Sequence, residues 1–210
     1  VRHMAEAGFT HMGFGLETGV QRIADLSRKD ETVQIHLDAL ELCNKHGIDV
    51  SFFMIFGFPT ETAVDRRETF HLVRKSGAVA VKYNNMIPYP GTPLYNELKN
   101  SGRVVITKNW GNFNSVLAMT TSIFNKTPLP YVPETCSEWE LKRDIIYYNL
   151  KSNLNMKAIA SIFGHTKGQG WFMLPYDWWY KPREIWEIAK IGIYLLINII
   201  LTSLPLWLTE

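Results

Sequence analysis

Three short motifs place glycines and polar residues directly after apolar stretches of the chain. They read GFGLETG at 13–19, FGFPTET at 56–62 and PYPGTPLY at 88–95. A carboxylate such as Glu17 can accept hydrogen bonds from two hydroxyl groups at once, and a glycine such as Gly57 lets another molecule approach the backbone closely. These residue types predict a binding site for a polar small molecule.

The elements that would position the motifs alternate between strands and helices. Apolar, β-rich runs predict strands at 11–16, 48–56 and 78–87, and helical spacing predicts helices at 19–27, 32–46, from 62 to about 76, and 94–100. This alternation predicts βαβ units and a parallel sheet. Because ligands bind at the carboxyl ends of parallel strands, all three motifs should share one edge of that sheet.

Finer local signals accompany this pattern. The run IDVSFFMIF is almost continuously apolar, which predicts a strand buried on both faces. Thr18 with Gln21, and Thr62 with Asp65, predict helix caps, and Gly47 predicts a helix stop. A sheet of only three strands would leave long edges exposed. We therefore expect that further strands precede Val1 and that the chain is a fragment.

In their order and spacing, the three motifs resemble strands four to six of the radical S-adenosylmethionine (radical SAM) barrel. The resemblance covers about residues 1–105 and is strongest to the branch that includes cobalamin-dependent enzymes, anaerobic magnesium-protoporphyrin cyclases and methylthiotransferases. It implies an α/β fold, the C-terminal half of a partial (β/α)6 TIM-like barrel with parallel strands 4–6, followed by a mostly helical region. It also implies an enzyme that reductively cleaves S-adenosylmethionine (SAM) at a 4Fe–4S cluster to start radical chemistry.

The resemblance assigns cofactor contacts to the first motif and the turn after it. Glu17 stands where the family contacts the SAM ribose, and Lys29, with Arg28 beside it, stands where a basic residue pairs with the methionyl carboxylate. The alternatives from the residues alone are a carboxylate favoured by a helix N-terminus and a solvated charged turn.

The second and third strands supply the remaining assigned contacts. Gly57 and Pro59 resemble the turn that passes under the adenine, while Tyr83 and Asn84 occupy the strand that packs against adenine or substrate. Tyr83 and Asn84 could equally be core residues with satisfied polar ends. Thr60 replaces a glycine typical of the family.

The two residues after Pro59 are not assigned to the cofactor. Thr60 argues against the left-handed backbone that a glycine would permit at its position. Glu61 is expected to serve only as a charge at the start of a helix.

The cluster cannot be built from this chain. The family holds its cluster with C-x3-C-x2-C after the first strand, and only Cys43 and Cys136 are present here. Cys43 is expected to be a small buried residue. We therefore expect the cluster ligands, and any cobalamin domain, upstream of Val1, and the 210 residues alone to be inactive. The expected partners are a small-molecule or lipid-like substrate and a reductant such as flavodoxin or ferredoxin.

Composition limits other functions. A net charge of +2 gives no bulk electrostatic reason for nucleic-acid binding, and the six histidines lack the spacing of metal ligands. The two cysteines are too few and too far apart for a secreted disulfide framework, so a reducing cytosolic compartment is expected.

We divide the chain into a partial barrel at 1–102, an irregular and helical extension at 103–170, and an aromatic-rich segment with an apolar helix at 171–210. The extension includes helices predicted at 138–150 and 156–163. Residues 191–208 carry no charge and would reach roughly 27 Å as a helix. This tail could span a membrane with its preceding basic residues in the cytoplasm, lie in the membrane interface or pack on the protein.

Two other functional classes remain open at this point. One is a non-catalytic, membrane-tethered α/β module that has lost the cluster site, which the sequence upstream of Val1 would distinguish. The other is a TIM-barrel enzyme with different chemistry, although neither a phosphate-binding glycine loop nor an acid–base pair stands out.

Overall fold

A computed structural model describes residues 1–27, 29–120 and 127–153, together with five helical positions in the tail whose side chains are exposed: Trp186, Ile193, Leu196, Ile197 and Ile200. The elements in chain order are α1 (Arg2–Glu6), β1 (His11–Glu17), α2 (Gln21–Leu26), α3 (Val33–Lys45), β2 (Asp49–Phe56), α4 (Ala63–Ser76), β3 (Ala80–Asn85), α5 (Pro93–Asn100), a 3-10 turn (Lys108–Trp110), α6 (Leu117–Thr120) and α7 (Glu138–Asn153).

The strands form a parallel sheet in the order β1-β2-β3. The prediction of alternating strands and helices around a parallel sheet is therefore confirmed. Each predicted strand is present, although β3 is shorter than the run 78–87. Because all three strands point the same way, their carboxyl ends lie along one edge, as the motif argument requires.

The two faces of the sheet differ sharply in burial. On β2, every second residue from Val50 to Phe56 is fully buried, whereas Phe53 on the other face remains 37% exposed. The prediction that β2 is buried on both faces is therefore wrong for one face. We call the less covered side the open face; the register places on it His11, Gly13, Gly15, Asp49, Ser51, Phe53, Ile55, Ala80, Lys82 and Asn84.

The opposite side, the packed face, forms the core with the surrounding helices. Phe52, Met54 and Phe56 pack there with Cys43 of α3 and Phe70 of α4. Each such side chain contributes about 1.5–3 kcal/mol when fully buried. Cys43 is 1% exposed, which confirms its prediction as a small buried residue.

Helix α7 covers the outer edge of β3. The amide of Asn149 exchanges hydrogen bonds with the backbone of Tyr83, and the amide of Asn153 does the same with Val81, over 2.7–3.2 Å. These side chains take the place of a neighbouring strand, so the expected exposure of both sheet edges is wrong for this edge. At the other edge, β1 has no further strand beside it within the described part of the chain.

Most helix boundaries follow their sequence signals. Thr32 caps α3, Thr62 and Asp65 form a complete capping box at α4, and Gly47 adopts a φ of +71° just after α3. A left-handed residue after a helix is easily accommodated only by glycine.

The predicted cap at Thr18 is wrong. Thr18 is buried, and its hydroxyl contacts Thr69 of α4 instead of the first turn of α2. The predicted partner, Gln21, accepts a hydrogen bond from the backbone N–H of Val33. Helix α2 consequently begins without a side-chain cap, at Gln21.

Beyond α5 the chain is mostly irregular, as expected, until α7 begins at Glu138. Helix α7 is longer than the predicted 138–150 and packs on β3 and α4. The predicted helix at 156–163 lies outside the described residues, as does most of the apolar tail. Among the described residues, no helix combines the length and apolar character needed to cross a bilayer. The proposed domain boundaries stay predictions.

Candidate functional site

Glu17 and Lys29 meet at the carboxyl end of β1. The Lys29 ammonium donates a hydrogen bond to Oε1 of Glu17 and another, of 3.0 Å, to the backbone carbonyl of Gly15. Lys29 lies in the turn between α2 and α3, twelve residues after Glu17. The structure thus brings together two residues that the sequence assigned to different ends of one ligand.

The absence of a side chain at Gly15 makes this contact possible. A Cβ at that position would lie 2.7 Å from Oε1 of Glu17 and 3.2 Å from Nζ of Lys29. Both polar groups therefore lie over the backbone of β1 in space that only glycine leaves free. The pair belongs to the same open face as Gly15.

Glu17 has an uncommon backbone conformation. Its φ is +65°, and the pairing register between β1 and β2 shifts between Gly15 and Glu17. A residue with a side chain costs roughly 1–3 kcal/mol in such a conformation, and residues of this kind cluster at functional sites. The bend returns the Glu17 side chain over Gly15, towards Lys29.

The turn after β2 is held from inside the protein. Gly57 has a φ of +97°, its N–H donates to Glu61 across 2.6 Å, and a Cβ on it would lie 3.0 Å from Leu141. These contacts explain the glycine without a ligand, so adenine binding at Gly57 and at the half-buried Pro59 stays a prediction. Thr60 has a φ of +63°, so the expectation that it would abandon the left-handed conformation is wrong.

Glu61 has a larger role than a charge at a helix start. It is fully buried, and one oxygen accepts the Gly57 N–H while the other has no hydrogen-bond partner. Burial raises the pKa of Glu61 to about 8, although the Gly57 N–H and the Arg66 guanidinium act in the opposite direction. Sequence reasoning missed this function because a surface carboxylate is the usual occupant of a helix start.

Arg66 links this turn to α7. Its Nε donates to Asp144 across 2.8 Å, and its Nη1 lies 3.7 Å from Glu61. Burial disfavours the charged form of Arg66, but the carboxylates of Asp144 and Glu61 outweigh burial and raise its pKa. Arg66 and Asp144 are 78 positions apart in the sequence, so no local sequence signal indicated this pair.

A second ion pair holds α2 against the start of α4. Both terminal nitrogens of Arg22 contact this region: Nη2 donates to the two oxygens of Asp65, and Nη1 donates to Thr60. Burial alone would raise the pKa of Asp65, but hydrogen bonds from Thr62 and Arg22 outweigh burial and lower it. These contacts fix α2 to the start of α4.

The structure separates the two residues predicted on β3. Tyr83 lies on the packed face, fully buried, with its hydroxyl 3.3 Å from Ser152 and its ring 4.9 Å from that of Phe56. Burial raises the pKa of its phenol. Its assignment to adenine or substrate is therefore corrected to a core role. Asn84 lies on the open face, and Arg28 lies outside the described residues.

The family model for the radical SAM superfamily matches residues 1–73, which contain β1, β2 and the Glu17–Lys29 pair. Residues 1–73 therefore carry the sequence pattern of the radical SAM superfamily.

Two curated relatives of the chain are methyltransferases by name. An uncharacterised methyltransferase of Pyrococcus horikoshii is 29% identical over 113 residues, which are 54% of this chain and 24% of that protein. The bacteriochlorophyllide d C-8(2)-methyltransferase of Chlorobaculum tepidum is 25% identical over 118 residues, 55% of this chain and 26% of that protein. The chain thus spans about a quarter of the length of these relatives.

Among solved structures, the chain is similar to the radical S-adenosylmethionine methyltransferase TsrM from Kitasatospora setae, determined with cobalamin and a 4Fe–4S cluster bound. The TM-score is 0.44 at 19% identity, with 69% of this chain and 27% of TsrM covered.

The two cysteines of the chain, Cys43 and Cys136, do not fit an iron–sulfur cluster. Cys43 is buried in α3 with its sulfur 3.7 Å from that of Met12, and Cys136 precedes α7 near Arg66. Burial raises the pKa of both thiols, which disfavours the thiolates that iron requires. Within the described residues, no three His, Cys, Asp or Glu side chains converge on a metal site.

Proposed function

We propose that this chain forms one side of the SAM site of a radical SAM enzyme. In the intact protein, SAM would be cleaved reductively at a 4Fe–4S cluster to start radical chemistry such as methylation or cyclisation. The observation that carries the proposal is the contact between Glu17 and Lys29 over the bare backbone of Gly15. This pair lies at the carboxyl end of a parallel strand, where ligands of such sheets bind.

The unused hydrogen-bonding capacity of the pair suits the two ends of SAM. Lys29 engages Oε1 of Glu17, while Oε2 has no hydrogen bond to any residue that the structure describes. Oε2 would accept the ribose hydroxyls. An ammonium carries three donors, of which Lys29 uses two here, so one remains for the methionyl carboxylate.

The backbone around the pair also fits a bound adenosyl group. Gly15 leaves the surface of β1 without a side chain, and the positive φ of Glu17 holds its carboxylate above that surface. In this proposal the hydrogen bond from the Gly57 N–H to Glu61 holds the turn after β2 in place, and Pro59 lies at the edge of the SAM site. Arg28 would add a second cation beside Lys29.

The iron–sulfur ligands are proposed to lie outside these 210 residues, since Cys43 and Cys136 do not fit them. SAM bound at a reduced cluster supplies the radical on which such chemistry depends. What this chain adds is binding and orientation, because the cofactor carries the reaction itself. A flavodoxin or ferredoxin would supply the electron.

Methyl transfer is the favoured outcome, because both reported relatives carry that activity in their names. One of them acts on a bacteriochlorophyllide, a large conjugated molecule, which supports a small-molecule or lipid-like substrate. Cobalamin is proposed as an additional cofactor, bound by a part of the protein beyond this chain.

A membrane location is proposed from the tail alone. Trp186, Ile193, Leu196, Ile197 and Ile200 are helical and exposed, and the run 191–208 carries no charge. The tail would hold the enzyme on the cytoplasmic side of the membrane, near a lipid-like substrate. If the full-length protein remains in the supernatant after ultracentrifugation without detergent, this part of the proposal fails.

The central test uses the full-length protein, reconstituted anaerobically with iron and sulfide. SAM binding is measured by equilibrium dialysis, and 5′-deoxyadenosine is measured after reduction. We expect Glu17→Gln and Lys29→Met each to weaken SAM binding about tenfold or more, the loss typical of one hydrogen bond to a charged group.

The matched control is Lys45→Met, which removes an exposed lysine paired with Glu41 on α3. It should bind SAM as the unaltered protein does. No 5′-deoxyadenosine from a cluster-loaded sample would refute the enzymatic proposal, and unchanged SAM binding in both site variants would refute the assigned roles.

A further inference from the structure

The backbone bends sharply at Glu17, where β1 ends. The N–H of Thr18 donates a hydrogen bond to the carbonyl of Leu16 across 2.8 Å, which closes a three-residue turn around Glu17. Because the φ of Glu17 is +65°, this is a γ-turn of the rare and strained form that has a positive φ at its centre. Such a conformation persists only where the surrounding contacts hold it in place.

The contacts that hold this turn come from Thr69, in the middle of α4. The Thr69 hydroxyl accepts a hydrogen bond from the N–H of Gly19 at 3.0 Å and lies 3.3 Å from the hydroxyl of Thr18. The Thr18 hydroxyl in turn accepts the N–H of Val20. A single side-chain hydroxyl on α4 therefore contacts both residues that follow Glu17.

The turn also packs directly against α4. Thr18 and Thr69 are fully buried, and a Cβ on Gly19 would lie 2.9 Å from Cα of Thr69. The start of α4 is held by the ion pair between Arg22 and Asp65. The helix is therefore a fixed support for the turn, and glycine at position 19 allows the two backbones to approach closely.

We propose that Thr69 is a positioning residue for the SAM site. By holding Thr18 and Gly19, its hydroxyl fixes the γ-turn and so directs the Glu17 carboxylate towards Lys29. Thr69 is buried and acts through Glu17, whose second oxygen receives the ribose hydroxyls of SAM. This inference rests on the proposed function, because it takes from that proposal the contact between Glu17 and SAM.

The experiment measures SAM binding to the reconstituted full-length protein by equilibrium dialysis. Thr69→Val keeps the β-branched shape of the side chain and removes the hydroxyl. We expect this variant to bind SAM about fivefold more weakly, the factor that corresponds to one neutral hydrogen bond. Thr69→Ser keeps the hydroxyl and should retain most of the affinity. Thr69→Ala repeats the first comparison if the valine variant does not fold.

A double-mutant cycle separates positioning from a general effect on the fold. Glu17→Ala removes the carboxylate but keeps a Cβ, so the backbone strain at this position remains. If Thr69 acts through Glu17, the hydroxyl-free variants of Thr69 should weaken SAM binding much less in the Glu17→Ala protein than in the unaltered protein. Equal factors in the two backgrounds would overturn the inference.

Asn149→Ala is the control for stability, because Asn149 contacts Tyr83 at the opposite edge of the sheet. It should lower the melting temperature and leave SAM binding unchanged. A loss of SAM binding in Asn149→Ala equal to that in Thr69→Val would show that stability alone explains both results, and Thr69 would then have no positioning role.

The failures of the two proposals are distinguishable. Hydrogen exchange at the Gly19 amide, measured without SAM, reports on the turn alone and should be faster in Thr69→Val than in Thr69→Ser. If Glu17→Ala weakens SAM binding but loss of the Thr69 hydroxyl does not, the positioning inference alone is wrong. If the exchange responds to Thr69 but the unaltered protein does not bind SAM, the proposed function fails, and the role of Thr69 in SAM binding fails with it.

Discussion

The side chain of Asn149 pairs with the backbone of Tyr83 as a neighbouring β-strand would. Its Oδ1 accepts the Tyr83 N–H at 2.9 Å, and its Nδ2 donates to the Tyr83 carbonyl at 2.8 Å. Four residues later, one helical turn along α7, Asn153 repeats the arrangement on Val81. The sheet therefore ends at β3 without exposing the backbone groups that invite pairing with another chain.

Replacing Asn149 should destabilise the fold measurably. In Asn149→Ala the buried N–H and carbonyl of Tyr83 lose their partners, and each unsatisfied group costs about 1–3 kcal/mol. We expect a lower urea midpoint and faster hydrogen exchange at the Tyr83 amide. Asn96→Ala, an exposed position on α5, is the control and should leave both unchanged. Equal midpoints for the two variants would show that α7 does not secure this edge.

The free energy of unfolding should depend on pH through Glu61. Its pKa in the folded protein, about 8, lies above the ordinary value of 4.5, so the folded state holds a proton that the unfolded state releases. The stabilisation is complete below pH 4.5 and is lost as the pH rises to about 8. We expect the free energy of unfolding to fall across this window, and to fall less in Glu61→Gln, which keeps an acceptor for the Gly57 N–H.

The measurement is urea unfolding of both proteins at intervals from pH 5 to pH 8. Glu68→Gln, which changes an exposed carboxylate on α4, is the control and should follow the unaltered protein. Parallel curves for Glu61→Gln and the unaltered protein would mean that Glu61 is already ionised throughout this range.

Local sequence signals predicted the elements well, because apolar spacing and caps such as Thr62 act over a few residues. The Glu17–Lys29 contact was within reach for the same reason, since a family motif places both residues within twelve positions. Arg66 and Asp144 were out of reach, because nothing in either segment specifies a partner 78 residues away. Tyr83 was misplaced because a strand alternates faces, and the sequence alone did not say which face the helices cover.

Replacement of Thr60 by glycine should stabilise the protein. It holds a φ of +63°, where a β-branched side chain is strained and glycine is not. Thr60→Gly should therefore raise the free energy of unfolding by up to about 1 kcal/mol, after the loss of the exposed hydrogen bond from Arg22.

Thr62→Gly is the contrasting control for Thr60. Thr62 has a φ of −105° and its side chain caps α4, so its removal should destabilise the protein. Thermal unfolding of the two variants in parallel gives the comparison. A lower melting temperature for Thr60→Gly than for the unaltered protein would show that the hydroxyl contact outweighs the backbone strain.

Gly13 and Gly19 should differ in how well they tolerate replacement by alanine, because different atoms lie near them. A Cβ on Gly19 would lie 2.9 Å from Cα of Thr69, which belongs to the backbone of α4 and cannot move without the helix. A Cβ on Gly13 would meet the ring of Phe53, which is partly exposed and can turn outward. Gly19→Ala should therefore cost about 1–3 kcal/mol.

Gly13→Ala should be close to neutral, because the lower entropy of the unfolded chain offsets the displaced ring. Urea unfolding of both variants measures the difference. If Gly13→Ala is as destabilising as Gly19→Ala, the Phe53 ring is fixed in place, and the open face is more rigid than its exposure indicates.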